Sequence, residues 1–341
     1  MVQTSTFSLL IQKWYLENHR YLPWRETKSP YKIWLSEVIL QQTRVDQGMS
    51  YYHKFCELFP TIASLATASE QEVLSAWQGL GYYSRARNLR KTAQHIHTNH
   101  QGDFPATYED LLSLPGIGPY TAAAIGSFAF NIPKAVVDGN VYRVLSRYFD
   151  IETPIDSSTG KKEFAQLAQE LLDLNNPSQH NQAIMELGAL VCTPKNAACD
   201  SCPLHNSCLA LKHNTRYTRP IKERKTAVRK RYFHYLFIEH NGKIALQQRV
   251  EKDIWQHMYQ LPLIELDEAE STPILENYSF SHPIKSYTHI LSHQKIFATF
   301  WLVNNPTVLT DFSSLIWVEK ANLDEYPISR LIERFLTDYA Y

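Results

Sequence analysis

The chain has 341 residues, 44% of them hydrophobic and 20% charged, which is enough apolar content for more than one buried core and too much for a disordered polyelectrolyte. Thirty-four Lys and Arg balance thirty-four Asp and Glu, so no net field marks the whole surface as a polyanion binder. No apolar run approaches the roughly 20 residues of a membrane span, and the amphipathic start MVQTSTFSLLIQKWYLENHR lacks a cleavable leader pattern, so a cytoplasmic chain with no membrane partner is expected.

Up to about residue 210 the apolar period is helical. In SPYKIWLSEVILQQTRV, Ser29 suits an N-cap and Pro30 a first helical turn. Tyr31, Trp34, Leu35, Val38 and Ile39 then recur at helical spacing, with Glu37 and Gln41 four apart on another face. The same period predicts helices at 46–59, 69–78, 84–99, 107–113, 119–130, 138–149, 160–174 and 179–190. Between Lys212 and Arg231 lie nine Lys and Arg and a single acid, Glu223, which reads as a basic linker, while Glu265 to Glu276 is acidic. The period then changes. RYFHYLFIEHNGKIALQQR reads as strand, Asn241-Gly242 turn and strand. KIFATFWLV and SLIWVEK are further strands, and ISRLIERFLTDY is a closing amphipathic helix. The expected architecture is multidomain: an all-α unit followed by a separate α+β domain over roughly 230–341.

Four of the five cysteines, Cys192, Cys199, Cys202 and Cys208, fall within 17 residues. A secreted disulfide scaffold would spread them, so this clustering argues for a metal. Cys56 stands alone in an aromatic amphipathic stretch and reads as a core residue. The spacing C-x6-C-x2-C-x5-C contains only one CxxC, whereas all-cysteine zinc sites usually pair two such knuckles. Irregular sequential spacing suits an iron–sulfur cluster better than zinc, although spacing alone leaves both open. His205 would be a fifth ligand and reads as a bystander.

In LPGIGPYTA, Gly116 and Gly118 would let backbone N–H groups face outward at a helix N-terminus, where anions bind. Framed by Leu114, Ile117, Ala122 and Ile125, this stretch looks like the helix–hairpin–helix motif, which grips the DNA backbone without reading its sequence. An aspartate 20 residues after Gly118, in VVDGNVYRVLSR, and the cysteine loop complete a pattern. The chain resembles the endonuclease III superfamily of DNA base-excision glycosylases and, within it, the adenine DNA glycosylases of the MutY type. LPWRET (22–27), SEVILQQTRV (36–45), QGLGYYSRARNL (78–89), LPGIGPYTAAAI (114–125), VDGNVYRVLSR (137–147) and NQAIMELGALVCTPKNAACDSCPL (181–204) carry the likeness.

The resemblance implies a six-helix lobe at 28–135 and an iron–sulfur lobe built from 1–27 with 136–210. A basic linker at 211–229 and a Nudix-like recognition domain at 230–341 follow, with WQHMYQLPLIE (255–265) matching the latter. The glycine- and glutamate-rich helix that holds magnesium in Nudix hydrolases has no counterpart, so recognition rather than hydrolysis is expected there. By the same resemblance, Cys192, Cys199, Cys202 and Cys208 hold a [4Fe–4S] cluster.

Removing a purine calls for a protonated acid at N7 and a second carboxylate, kept charged, for the sugar cation. The resemblance assigns the first role to Glu37 and the second to Asp138. Tyr120 stands where relatives that also cut the strand carry a nucleophilic lysine, which implies a monofunctional glycosylase. Tyr120 and Asn140 are then expected to orient Asp138 and the attacking water. Arg20, Trp24, Arg25, Leu40 and Gln182 are implied to line the adenine pocket, Gln182 standing where some relatives have Glu. Gln42 and Tyr82 would wedge beside the extruded base. In the C-terminal domain Leu291, Ser292 and His293 correspond to a loop that reads 8-oxoguanine, with Leu291 in place of the usual phenylalanine. The implied partner is double-stranded DNA carrying 8-oxoguanine:adenine mispairs, bound by a monomeric enzyme that would be nucleoid-associated in a bacterium.

Overall fold

The computed structural model of the chain describes residues 2–223, 227–267, 280–303 and 315–339. They fall into two compact units, one drawn from residues 2–67 with 91–223 and the other from 68–90 with the described residues beyond 226. Residues 68–90, grouped by sequence with the helical lobe, thus lie in the second unit.

The helices in chain order are α1 (Val2–Asn18), α2 (Pro30–Leu40), α3 (Val45–Leu58), α4 (Ile62–Thr67), α5 (Glu70–Trp77), α6 (Ser84–Asn99), α7 (Tyr108–Ser113), α8 (Pro119–Phe130), α9 (Gly139–Tyr148), α10 (Ser158–Leu171), α11 (Pro177–Leu190) and α12 (Leu209–Lys212). Local chemistry explains their ends. Ser29 Oγ accepts from Lys32 N at 3.4 Å and Pro30 opens α2. A side-chain N-cap of this kind contributes about 1 kcal/mol. Helix α2 stops at Leu40, where Gln42 adopts a left-handed φ of 56°.

Helix α8 is apolar on every side, and each residue from Thr121 to Phe128 is buried, which makes it a central rather than a surface helix. The turn leading into it matches the hairpin expected from LPGIG. Thr107 caps α7, Gly116 takes the φ of 75° that favours glycine, and Gly118 is the N-cap of α8 with Pro119 first.

A second core of this unit gathers Phe7 and Ile11 of α1, Val144 and Leu145 of α9, Phe164 of α10, and Ile184 and Leu187 of α11. A polar chain is sealed beside it. Gln12 Nε2 donates to Ser8 Oγ and to Asp173 Oδ2, both at 3.0 Å, and Ser8 Oγ meets His180 Nδ1 at 2.8 Å. His180 is 2% exposed, and burial holds its pKa down to about 4. The folded state therefore favours the neutral ring. This contribution to stability is complete above the unfolded value near 6.5 and is lost as pH falls from there towards 4, by up to about 3 kcal/mol. Melting temperatures of the wild type should drop across that window, and His180→Gln should flatten the drop.

In the second unit, α5 opens with a capping box in which Ser69 and Glu72 satisfy each other's backbone N–H. The strands are β1 (Arg229–Phe237), β2 (Glu239–His240), β3 (Lys243–Gln248), β4 (Tyr259–Gln260), β5 (Leu263–Leu266), β6 (Phe280–Ile290), β7 (Gln294–Val303) and β8 (Leu315–Glu319), followed by α13 (Arg330–Tyr339). One sheet runs β5-β1-β7-β6, with β1 parallel to β7 and its other pairs antiparallel. The second runs β2-β3-β4, with β8 also on β3. The hairpin read from Asn241-Gly242 is present, with φ of 50° and 76° at its two central residues.

Alternation along β1 fills two cores: Phe233, Tyr235 and Phe237 pack towards α13, while Leu236 meets Trp301 and Val303 on the other side. Helices α5 and α6 reach the loops around the sheets through Gln71 Nε2 to the Glu325 carbonyl (2.8 Å), Arg87 Nη1 to the Gln256 carbonyl (2.7 Å) and a Glu70–His257 ion pair. Most of the acidic stretch 265–276 and the first residue of SLIWVEK lie outside the described residues.

Candidate active site

Within the first unit, a cleft of about 1090 Å³ is lined by the 20–25 segment, the end of α2 and the turn after it, Tyr120, the head of α9 and one face of α11. Its volume is at the upper end of what small-molecule pockets usually offer. Glu37 reaches it from the last turns of α2 and is only 8% exposed. Tyr120, in the first turn of α8, donates its hydroxyl to Glu37 Oε2 at 2.6 Å. Tyr120 is expected to orient Asp138 and the attacking water; its hydroxyl hydrogen bond goes to Glu37, because α8 begins at Pro119 and packs directly on α2.

Asp138 is the N-cap of α9. Its Oδ1 accepts from the backbone N–H groups of Asn140 (2.9 Å) and Val141 (2.8 Å), and its Oδ2 from Asn140 Nδ2 (2.7 Å). Asn140 thus holds Asp138 and is itself held by Arg143 Nη2 on its Oδ1 at 2.7 Å.

The two carboxyls face different electrostatics. Burial pushes Glu37 up to about 7, opposed by the Tyr120 hydroxyl and the Arg25 charge and aided by Asp138. Burial raises Asp138 as well, against three N–H donors and the Arg143 charge. The anion is better supported at Asp138, where two helix N-terminal amides and a side-chain amide point at it, than at Glu37, which accepts one hydroxyl. The environment therefore favours the proton at Glu37 over Asp138.

The remaining wall carries the residues expected around a base. Arg20 and Arg25 both bind one acid that sequence reading missed, Glu186 of α11. Gln182, one turn earlier, accepts from Tyr15 Oη at 2.8 Å. Trp24 is buried with its ring edge-on to Tyr52 at 5.1 Å, and Leu40 and Gln42 line the same cleft. The only sequence sign of Glu186 was its place four residues after Gln182, inside the apolar run IMELGAL. Gly188 was also missed: a Cβ there would lie 2.6 Å from Asn140 Cβ, so glycine is what lets α11 approach the head of α9.

The cysteine loop begins just behind this wall. Arg143 Nε donates to the Cys192 carbonyl (2.6 Å) and its Nη2 to the Gly188 carbonyl (2.7 Å). Arg147 binds the Thr193 and Pro194 carbonyls and reaches Cys192 Sγ at 3.4 Å. Cys192, Cys199, Cys202 and Cys208 are unpaired as disulfides, partly buried, and line one cavity of about 30 Å³. Among the described residues no three His, Cys, Asp or Glu converge on a single-ion position. Four thiols around one cavity are a donor set that a thiolate-bound metal centre can take. His205 Nδ1 is 2.8 Å from the Cys199 carbonyl, in keeping with a bystander.

Two expected contacts lie in the second unit. Leu291, Ser292 and His293 form the turn between β6 and β7, closed by Leu291 N on the Gln294 carbonyl at 2.8 Å. Ser292 and His293 are exposed, with Ser292 Oγ 3.1 Å from His293 Nδ1. Tyr82 has a φ of 48° and is 43% exposed, with the Arg85 guanidinium 5.8 Å from its ring centre.

Residues 35–172 match the HhH-GPD superfamily base excision DNA repair protein family, and residues 234–338 match the NUDIX domain. The adenine DNA glycosylase of Buchnera aphidicola subsp. Schizaphis graminum is 32% identical over 344 residues, covering 97% of each chain. Among solved structures, a thermostable thymine-DNA glycosylase matches 62% of this chain and 97% of its own at 26% identity and a TM-score of 0.58. A non-covalent endonuclease III–DNA complex shares the fold at 22% identity and a TM-score of 0.55, over 63% of this chain and 97% of that one. No helix among the described residues is long and apolar enough to cross a membrane.

Proposed function

The chain belongs to the adenine DNA glycosylases of the HhH-GPD base-excision repair superfamily, and from that membership we propose that it removes adenine mispaired with 8-oxoguanine, leaving the strand intact. The observation that carries this reading is the pairing, in one cleft, of a buried Glu37 that accepts a single hydroxyl with an Asp138 that accepts three N–H groups.

The extruded adenine enters the cleft. Glu37, whose Oε2 accepts from Tyr120, carries its proton on the other oxygen and gives it to N7 of the base. The C1′–N9 bond breaks with its electrons leaving on the protonated base, and the sugar becomes an oxocarbenium ion. Asp138, held by Asn140 and the head of α9, stabilises that cation, and water completes the hydrolysis at C1′. Tyr120 has no amine to form a Schiff base with the sugar, which supports base removal without strand cleavage.

The exposed Ser292–His293 turn is suited to hydrogen-bond the altered edge of 8-oxoguanine. In the same reading, Cys192, Cys199, Cys202 and Cys208 hold a [4Fe–4S] cluster, which when bound ties the loop into one rigid body. Arg143 and Arg147 fix the chain at the start of that loop. Purified protein should be yellow-brown with about four irons per chain; one zinc and no iron would refute the cluster.

Single-turnover excision should be measured on matched duplexes with adenine opposite 8-oxoguanine, guanine, cytosine or thymine, with borohydride in parallel. Fastest excision opposite 8-oxoguanine without covalent trapping supports the proposal. Equal rates on all four duplexes, or efficient trapping with strand cleavage, would overturn it.

A further inference from the structure

One buried carboxylate organises two cations in the cleft wall. Glu186 Oε1 accepts from the Arg20 backbone N (2.9 Å) and Arg20 Nε (2.8 Å), while its Oε2 accepts from Arg20 Nη2 (2.7 Å) and Arg25 Nη2 (2.8 Å). Arg25 Nη1 in turn donates to the Arg20 carbonyl at 3.1 Å. The Glu186 side chain is 1% exposed, that of Arg25 12% and that of Arg20 36%, so the acid lies behind the guanidiniums and they face the cleft. A buried acid with four charge-assisted donors is expensive to leave half-satisfied, and each guanidinium has one direction that satisfies it.

We propose that Glu186 is a positioning residue of the base pocket: it fixes Arg20 and Arg25 and offsets their charge, including that of Arg25 acting on Glu37. The inference rests on the reading of Glu37 as the acid. Charged and titratable groups around the pair come from every neighbouring element: Tyr120 from α8, Asp138 at the head of α9, Arg25 from the 20–25 segment, and Tyr15 of α1 and Asp46 of α3 around the arginines. The Arg25 charge already favours ionised Glu37. Removing the Glu186 charge while keeping its shape leaves both guanidiniums uncompensated and makes Glu37 give up its proton at lower pH.

The test is the pH dependence of single-turnover excision of adenine opposite 8-oxoguanine by wild type, Glu186→Gln, Glu186→Asp and Arg25→Met. In Glu186→Gln the alkaline limb should move down by about one unit. Its rate should then be about tenfold lower at pH 8 yet within about twofold of wild type at pH 5.5. Glu186→Asp, which keeps the charge, should restore the limb. Arg25→Met should move it upward, and this opposite shift decides the matter if Glu186→Gln does not fold. A Glu186→Gln rate reduced equally at every pH, or an Arg25→Met limb that stays in place, would mean that Glu186 only packs and would overturn the proposal. A wild type without any alkaline limb would instead overturn Glu37 as the acid.

Discussion

Replacing Glu37 by Gln is expected to lower adenine excision by about 1,000-fold or more while leaving duplex binding within a few-fold of wild type. The amide keeps the shape and can still accept from Tyr120, but it has no proton of suitable acidity to give the departing base. The wild-type pH profile should carry the same signature. With Glu37 at about 7, the reactive protonated form dominates below that pH and falls tenfold per unit above it. The same substitution should stabilise the fold. A carboxyl whose folded value is raised contributes stability that is present below its unfolded value near 4.5 and is lost as pH rises through 7. Glu37→Gln escapes that loss, so its advantage over wild type should grow between those values and level off at up to about 3 kcal/mol. Thermal melts at pH 5 and pH 8, set beside single-turnover rates, check both halves. A variant that is inactive and also less stable at pH 8 would contradict the burial of a proton-bearing acid.

Most of the helical unit was legible because its signals are local. Ser29 and Pro30 at the head of α2, the alanine run of α8 and the glycine turn before it each specify their own conformation within a few residues. The Asn241-Gly242 hairpin was readable for the same reason. What escaped was long-range. Glu186 lies 166 residues from Arg20 and 161 from Arg25, and nothing near it in sequence reveals two guanidiniums converging on it. The Tyr120 hydroxyl meets Glu37, a partner its sequence surroundings do not specify, since that depends on how α8 leans on α2. The packing of 68–90 in the second unit was hidden too, because the Gln71, Arg87 and Glu70 contacts reach partners 169 to 254 residues away.

In the proposed mechanism Asp138 combines two jobs, capping α9 and stabilising the sugar cation, and substitution should separate them. Asp138→Asn keeps an oxygen to cap the Asn140 and Val141 amides, so α9 should hold and the melting temperature should move little. Its neutral amide cannot stabilise a sugar cation, and excision should fall by about 100-fold or more. Asp138→Ala should lose as much activity and, in addition, about 1–2 kcal/mol of stability from the uncapped helix. The cost should spread through Asn140 to Arg143, whose other donors hold the Gly188 and Cys192 carbonyls. Looser cysteine packing should then appear as faster iron loss to a chelator in Asp138→Ala than in Asp138→Asn. Equal chelation rates in the two variants would mean that the cap and the cysteine loop are mechanically independent, and the catalytic loss would then be the only effect they share.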